Sequence, residues 1–148
     1  MQPLNVYRYR VVDVFTEYPL EGNPLAVFPD ARDLDAPTMQ RVAKELNLSE
    51  TVFVLPSTRS DCTARLRIFT PAREMPFAGH PTIGASYVLR DEGLAPLDDF
   101  VLEEIDRASP NSDRTRSETI DLAPDSVRRG RKNGRPKDLC AITRAISQ

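Results

Sequence analysis

The stretch FTPAREMPFAGHPTIGASYVLRDEG, residues 69–93, holds a strand end, a proline-controlled loop and a helix marked at both ends. Phe69 closes an alternating apolar run, Pro71 and Pro76 stiffen the connection, and Gly79-His80-Pro81 leads into a helix over 81–92 that Gly93 ends. Pro81 suits the first helical position, where its missing N–H is not needed. The amides around Thr82 and Ile83 are then free to face an anion such as a substrate carboxylate. An ordinary capped helix fits the same residues, since most helix N-termini meet only water. Ile83, Ala85, Tyr87, Val88 and Leu89 spread around the helix before the charged end Arg90-Asp91-Glu92, which predicts a helix inside a fold rather than on its surface.

Outward from this segment, LNVYRYRVVDVFT at 4–16 reads as a strand with Arg8 and Arg10 on one face. PLEGNP then turns the chain into LAVF, a hairpin or a tight connection between paired strands. Asp35 can cap a half-exposed helix whose apolar positions are Met39, Val42, Ala43 and Leu46, with Asn47 as its terminator. SETVFVLP predicts a short strand at 50–56, and CTARLRIFT a longer one at 62–70 with Cys62, Ala64, Leu66 and Ile68 on one face. FVLEE at 100–104 adds another. The expected class is α+β, a mostly antiparallel sheet wrapped around one central helix.

The 148 residues suit one domain, but they divide into two unlike segments. All ten Phe and Tyr residues lie between Tyr7 and Phe100. Residues 1–106 carry ten Lys and Arg against seventeen Asp and Glu, a net −7, and residues 107–148 carry ten against five, a net +5. After Glu104 the periodicity stops, so 1–106 is expected to be the folded domain and 107–148 a disordered tail, with a marginal helix at 142–146. RRGRKNGRPK suits a solvated tail better than a minor-groove arm, because the −7 of the folded part repels phosphates, and no nucleic-acid partner is expected. There is no apolar run of about 18 residues and no basic-then-apolar start, so a cytoplasmic chain without a membrane partner is expected. Cys62 and Cys140 lack metal-like spacing and His80 is the only histidine, which predicts neither a disulfide framework nor a metal site.

Glu50 stands at the mouth of a strand, directly after the loop Asn47-Leu48-Ser49, where a carboxylate projects over a cleft. Position alone also suits a solvated or capping acid. In combination, GNP at 22–24, LNLSETVFV at 46–54 and FAGHPTIG at 77–84 closely resemble the phenazine-biosynthesis PhzF-like family of isomerases, whose fold is that of diaminopimelate epimerase. The resemblance runs from about Val11 to Glu104. It implies that Glu50 is the acid/base that moves a proton on a cyclic or amino-acid-like carboxylate, without metal or organic cofactor. It implies that Gly79 and His80 form the family's Gly-His pair at the central helix and that Asn23 lies where related epimerases hold substrate. Thr82, by its place at the helix start, joins the expected substrate-binding group. A carboxyl beside an apolar wall such as Val52 and Phe53 has its charged form disfavoured, and the helix dipole at Gly79 to Thr82 favours a bound anion. His80 can orient substrate, share in proton transfer, or only cap its helix. Diaminopimelate epimerases place a cysteine before the Gly of this helix, and Ala78 stands there, so the carboxylate route is the one implied.

The resemblance also implies a protein of two similar halves with the active site between them, of which this chain carries the first. The run from about Ile105 looks like another reading frame or a truncated gene. Two functions fit: a proton-moving isomerase, inactive if the second half is required, or a half-domain that binds a small carboxylate or self-associates, a homodimer or larger species being expected.

Overall fold

In the computed structural model, which describes residues 6–16, 18, 20–97, 99–105, 115–120 and 141–147, alternation of side chains sorts two helices onto the two faces of one sheet. The strands are β1 (Val6–Val14), β2 (Asn23–Phe28), β3 (Glu50–Leu55), β4 (Ala64–Phe69), β5 (Glu74–Met75), β6 (Phe100–Ile105), β7 (Thr115–Ile120) and β8 (Ala141–Ser147). The helices are α1 (Ala36–Leu46) and α2 (Gly79–Asp91). The strand order is β7-β6-β4-β3-β2-β1-β8, with β5 paired to β4. Pairing is antiparallel except between β2 and β3 and between β4 and β6. The α+β class and mostly antiparallel sheet expected from the sequence are therefore present.

One face of the sheet presents Val12, Val14, Leu25, Val52 and Leu66 to Ala85, Val88 and Leu89 of α2. Each of the valine and leucine side chains, fully buried, contributes about 1.5–3 kcal/mol. The helix comes unusually close. A Cβ on Gly84 would stand 2.5 Å from Leu25 Cδ2 and 3.0 Å from Val14 Cγ2, so a larger residue fits there only if the buried Leu25 side chain shifts. At the far end Gly93 takes φ +70°, with Gly93 N–H donating to Arg90 O at 3.0 Å and Leu94 N–H to Leu89 O at 2.8 Å. That pair of bonds satisfies the last carbonyls. Arg10 of β1 fixes the same end by pairing with Asp91 at 2.5 Å.

The opposite face carries an aromatic ladder, Tyr9 on Phe28 (5.0 Å between ring centroids), Phe28 on Phe53 (4.8 Å) and Phe53 edge-on to Phe69 (5.5 Å). Met39, Val42 and Ala43 of α1 pack in the same cluster. As the sequence predicts, Asp35 caps α1 by accepting the Thr38 amide at 2.9 Å, and Asn47 ends it in the left-handed region at φ 50°.

Several expectations need correction. α2 starts at Gly79, not 81, because Ala78 is the extended residue that precedes it, and Pro81 occupies its third position. That site also lacks an acceptor for an N–H, so proline is tolerated. Cys62 lies ahead of β4 in a turn, half-buried, and burial pushes its thiol above the usual range. PAREMP contains the two-residue strand β5. The expected structureless tail falls mainly on 106–114, 121–140 and 148, outside the described residues. The two described stretches there are strands: β7 pairs with β6, and β8 pairs with β1 where a marginal helix at 142–146 was expected. Cys140 also lies outside the described residues.

Two consecutive buried carboxylates on β6 serve opposite faces. Glu103 accepts from Ser57 Oγ (2.6 Å), Thr58 N (2.7 Å) and Thr58 Oγ1 (2.5 Å), fastening the loop between β3 and β4. Burial raises its pKa, but these bonds and the Arg65 charge outweigh that and hold it below the usual range. Glu104 points to the α2 side and lies 2.6 Å from Thr82 Oγ1.

Candidate active site

Parallel pairing of β2 and β3 aligns Leu25 with Glu50, so the residues just before them, Asn23-Pro24 and Ser49, lie side by side at one end of these central strands. The N-terminus of α2 lies over that end. His80 Nε2 is 3.2 Å from Glu50 Oε2, His80 Nδ1 is 3.3 Å from Asn23 Nδ2, and Asn23 Oδ1 accepts from Ser49 Oγ at 2.8 Å. Glu50, His80 and Asn23, singled out from sequence on three separate segments, thus meet in one place.

The Glu50 and His80 side chains are only 19% and 11% exposed. Their facing atoms are at ion-pair distance but not in the alignment of a good hydrogen bond, and neither has another hydrogen-bond partner. Buried polar atoms are rarely left so, and sites that bind or react are where the exceptions collect. Burial pushes the His80 pKa below its ordinary value, against the upward pull of Glu50. The imidazole is therefore neutral near neutral pH.

Around the pair the helix start is open. Ala78 has no capping side chain, and the first intrahelical bond is Thr82 N–H to Ala78 O at 3.3 Å. The amides of Gly79 and His80 precede that bond and have no acceptor within the helix. Gly79 is exposed, and no atom lies within 4 Å of where its Cβ would stand, so a ligand can approach the backbone there. Thr82 differs from expectation. It is 2% exposed, its N–H is inside the helix ladder, and its hydroxyl lies 2.8 Å from Ala78 O and 2.6 Å from Glu104. It braces the helix start, and the amides without an acceptor in the helix are those of Gly79 and His80.

Ser49 was not singled out from the sequence. Its only local signal is a hydroxyl immediately before Glu50, and its role depends on a parallel pairing that no local pattern encodes. Among the described residues no group of three or more His, Cys, Asp or Glu is arranged to hold a metal ion, and no helix is long and apolar enough to cross a membrane.

The family described as phenazine biosynthesis-like protein (PhzC-PhzF) matches residues 12–113. The chain belongs to this family. It is 53% identical over 87 residues to a trans-2,3-dihydro-3-hydroxyanthranilate isomerase of Pseudomonas aeruginosa, covering 59% of this chain and 31% of that protein. Its structure is similar to that of the Bacillus anthracis phenazine biosynthesis protein of the PhzF family, with a TM-score of 0.63 and 38% identity over 68% of this chain and 33% of that one. A hydroxyproline epimerase of Agrobacterium vitis, 15% identical, shares the fold at a TM-score of 0.51 over 67% of this chain and 34% of its own. The PhzF-like chain thus spans about a third of the length of the relatives it matches.

Proposed function

We propose that this PhzF-like chain carries the proton-transfer end of an isomerase for small carboxylates, with Glu50 as acid/base and no metal or organic cofactor in the step. The observation that carries it is the Glu50–His80 pair, two buried atoms 3.2 Å apart and otherwise without hydrogen bonds, beside the open amides of α2. In the proposed step the Glu50 carboxylate takes a proton from a substrate carbon while the C–H electron pair moves into the substrate's unsaturated system. The proton is then returned at a second carbon, so atoms and charge balance without an oxidant or reductant. Gly79 and His80 amides hold the substrate carboxylate, helped by the helix dipole, and neutral His80 orients the substrate. The similarity to the Pseudomonas enzyme makes trans-2,3-dihydro-3-hydroxyanthranilate the first substrate to test.

Glu50→Gln removes the proton acceptor and keeps the shape. It should lower turnover by about 10²–10⁴-fold and leave binding largely intact. Full activity in that variant would remove Glu50 from the mechanism.

A second function is favoured by a separate observation. The loop between β1 and β2 exposes Phe15 (73%), Tyr18 (65%) and Leu20 (85%) on the segment leading to Asn23. Such a cluster suits a self-associating half-domain. Sedimentation at several concentrations and two salt levels tests it, with a monomer throughout excluding self-association.

A further inference from the structure

We propose that Ser49 and Asn23 are positioning residues that lock His80 in a single tautomer, with its proton on Nε2 facing Glu50 and a lone pair on Nδ1. This rests on the proposed assignment of Glu50 as the acid/base and His80 as the residue that orients the substrate.

The lock follows from the hydrogen bonds at Nδ1 taken together with the charge facing Nε2. The Ser49 hydroxyl has one proton and two acceptors in reach, Asn23 Oδ1 at 2.8 Å and Pro24 O at 3.3 Å. Given to the nearer one, it sets the Asn23 carboxamide with oxygen toward Ser49 and NH₂ toward His80, whereas in the reversed carboxamide Ser49 would accept from NH₂ and donate to Pro24 O. In the first orientation the carboxamide nitrogen only donates, so His80 Nδ1, 3.3 Å away, must accept. A neutral imidazole that accepts at Nδ1 carries its proton on Nε2.

The other end of the ring decides between the two orientations. With the carboxamide reversed, Nδ1–H would donate to Asn23 Oδ1, and a bare Nε2 lone pair would face the Glu50 carboxylate oxygen at 3.2 Å. Two lone pairs at that distance repel, whereas Nε2–H opposite a carboxylate attracts. Burial keeps the ring neutral, so the position of its one proton matters. Asn23 opens β2 and Ser49 directly precedes β3, so paired strands hold the lock in place before any substrate arrives. His80 then faces the site as a hydrogen-bond donor, and Glu50 is left as the base.

His80 is the only histidine of the chain, so the ¹⁵N spectrum of ring-labelled protein reports this one imidazole. The lock predicts an unprotonated Nδ1 and a protonated Nε2 with limiting shifts. Ser49→Ala should move both shifts toward the averaged values of a free histidine, and Asn23→Asp, which offers an acceptor to Nδ1, should put a proton on that nitrogen. Amide spectra of each variant check that the fold is kept. Averaged shifts or a protonated Nδ1 in the wild-type chain, or a folded Asn23→Asp variant with unchanged ring shifts, would overturn the proposal. Because the readout needs no turnover, a locked ring in a chain that exchanges no substrate proton would count against the isomerase function and leave the lock standing.

Discussion

α1 begins with a side chain that closes it, Asp35 accepting the Thr38 amide, whereas α2 begins at Ala78 with no side-chain cap and leaves the amides of Gly79 and His80 without an acceptor in the helix. α1 is one-sided and lies on the sheet through Met39, Val42 and Ala43. α2 is buried over most of its surface, from Pro81 to Leu89. The capped helix takes its order partly from its own sequence. The uncapped one is held by the sheet beneath Gly84, by the Gly93 turn and by Arg10 at its far end. The difference teaches where chemistry is tolerated: an open helix start can be kept free for a ligand when the rest of the helix is fixed by other contacts.

The largest break in that comparison should come from Gly84→Ala. The new methyl meets Leu25 at 2.5 Å, and we expect a loss of about 1–3 kcal/mol in urea unfolding, the cost of overpacking a filled core. Lys44→Ala on the exposed side of α1 is the control and should leave the midpoint unchanged. Next, Gly93→Ala forces a Cβ into the left-handed region at φ +70° and should cost about 1 kcal/mol. Asn47→Gly, at the matching end of α1, should be neutral or slightly stabilising.

α1 was legible from the sequence almost to the residue, because its signals are local: an Asp at the start, apolar positions three and four apart, and an Asn at the end. α2 was legible in kind, but its start was misplaced by two residues, since Pro81 points to a first position and Ala78 gives no cap signal. The parallel pairing of β2 with β3 was not legible at all. It joins segments 25 residues apart through backbone bonds that any apolar strand can make, so Ser49 went unnoticed although Asn23 and Glu50 did not. β8 was missed for a related reason: ITRAI is too short to choose between helix and strand without a partner, and β1 supplies the partner.

The smallest expected effect concerns pH. Burial lowers the His80 pKa in the fold, so as pH falls through its unfolded value of about 6.5 the unfolded chain takes up a proton that the folded chain resists. Stability from this source is complete above that pH and declines as pH drops toward the folded value. His80→Gln should flatten this part of the profile, measured as the unfolding midpoint at pH 7.5 and pH 5.5, whereas Asp35→Ala should lower both midpoints alike.

Whether the open start of α2 serves proton transfer is tested most directly by incubating the chain with trans-2,3-dihydro-3-hydroxyanthranilate in D₂O and following the substrate by mass spectrometry. If Glu50 takes and returns a proton, deuterium should enter the isomerised product and be absent with Glu50→Gln. Bound substrate that gains no deuterium and is not isomerised, in a folded wild-type chain, would contradict the isomerase function and leave a carboxylate-binding half-domain in its place.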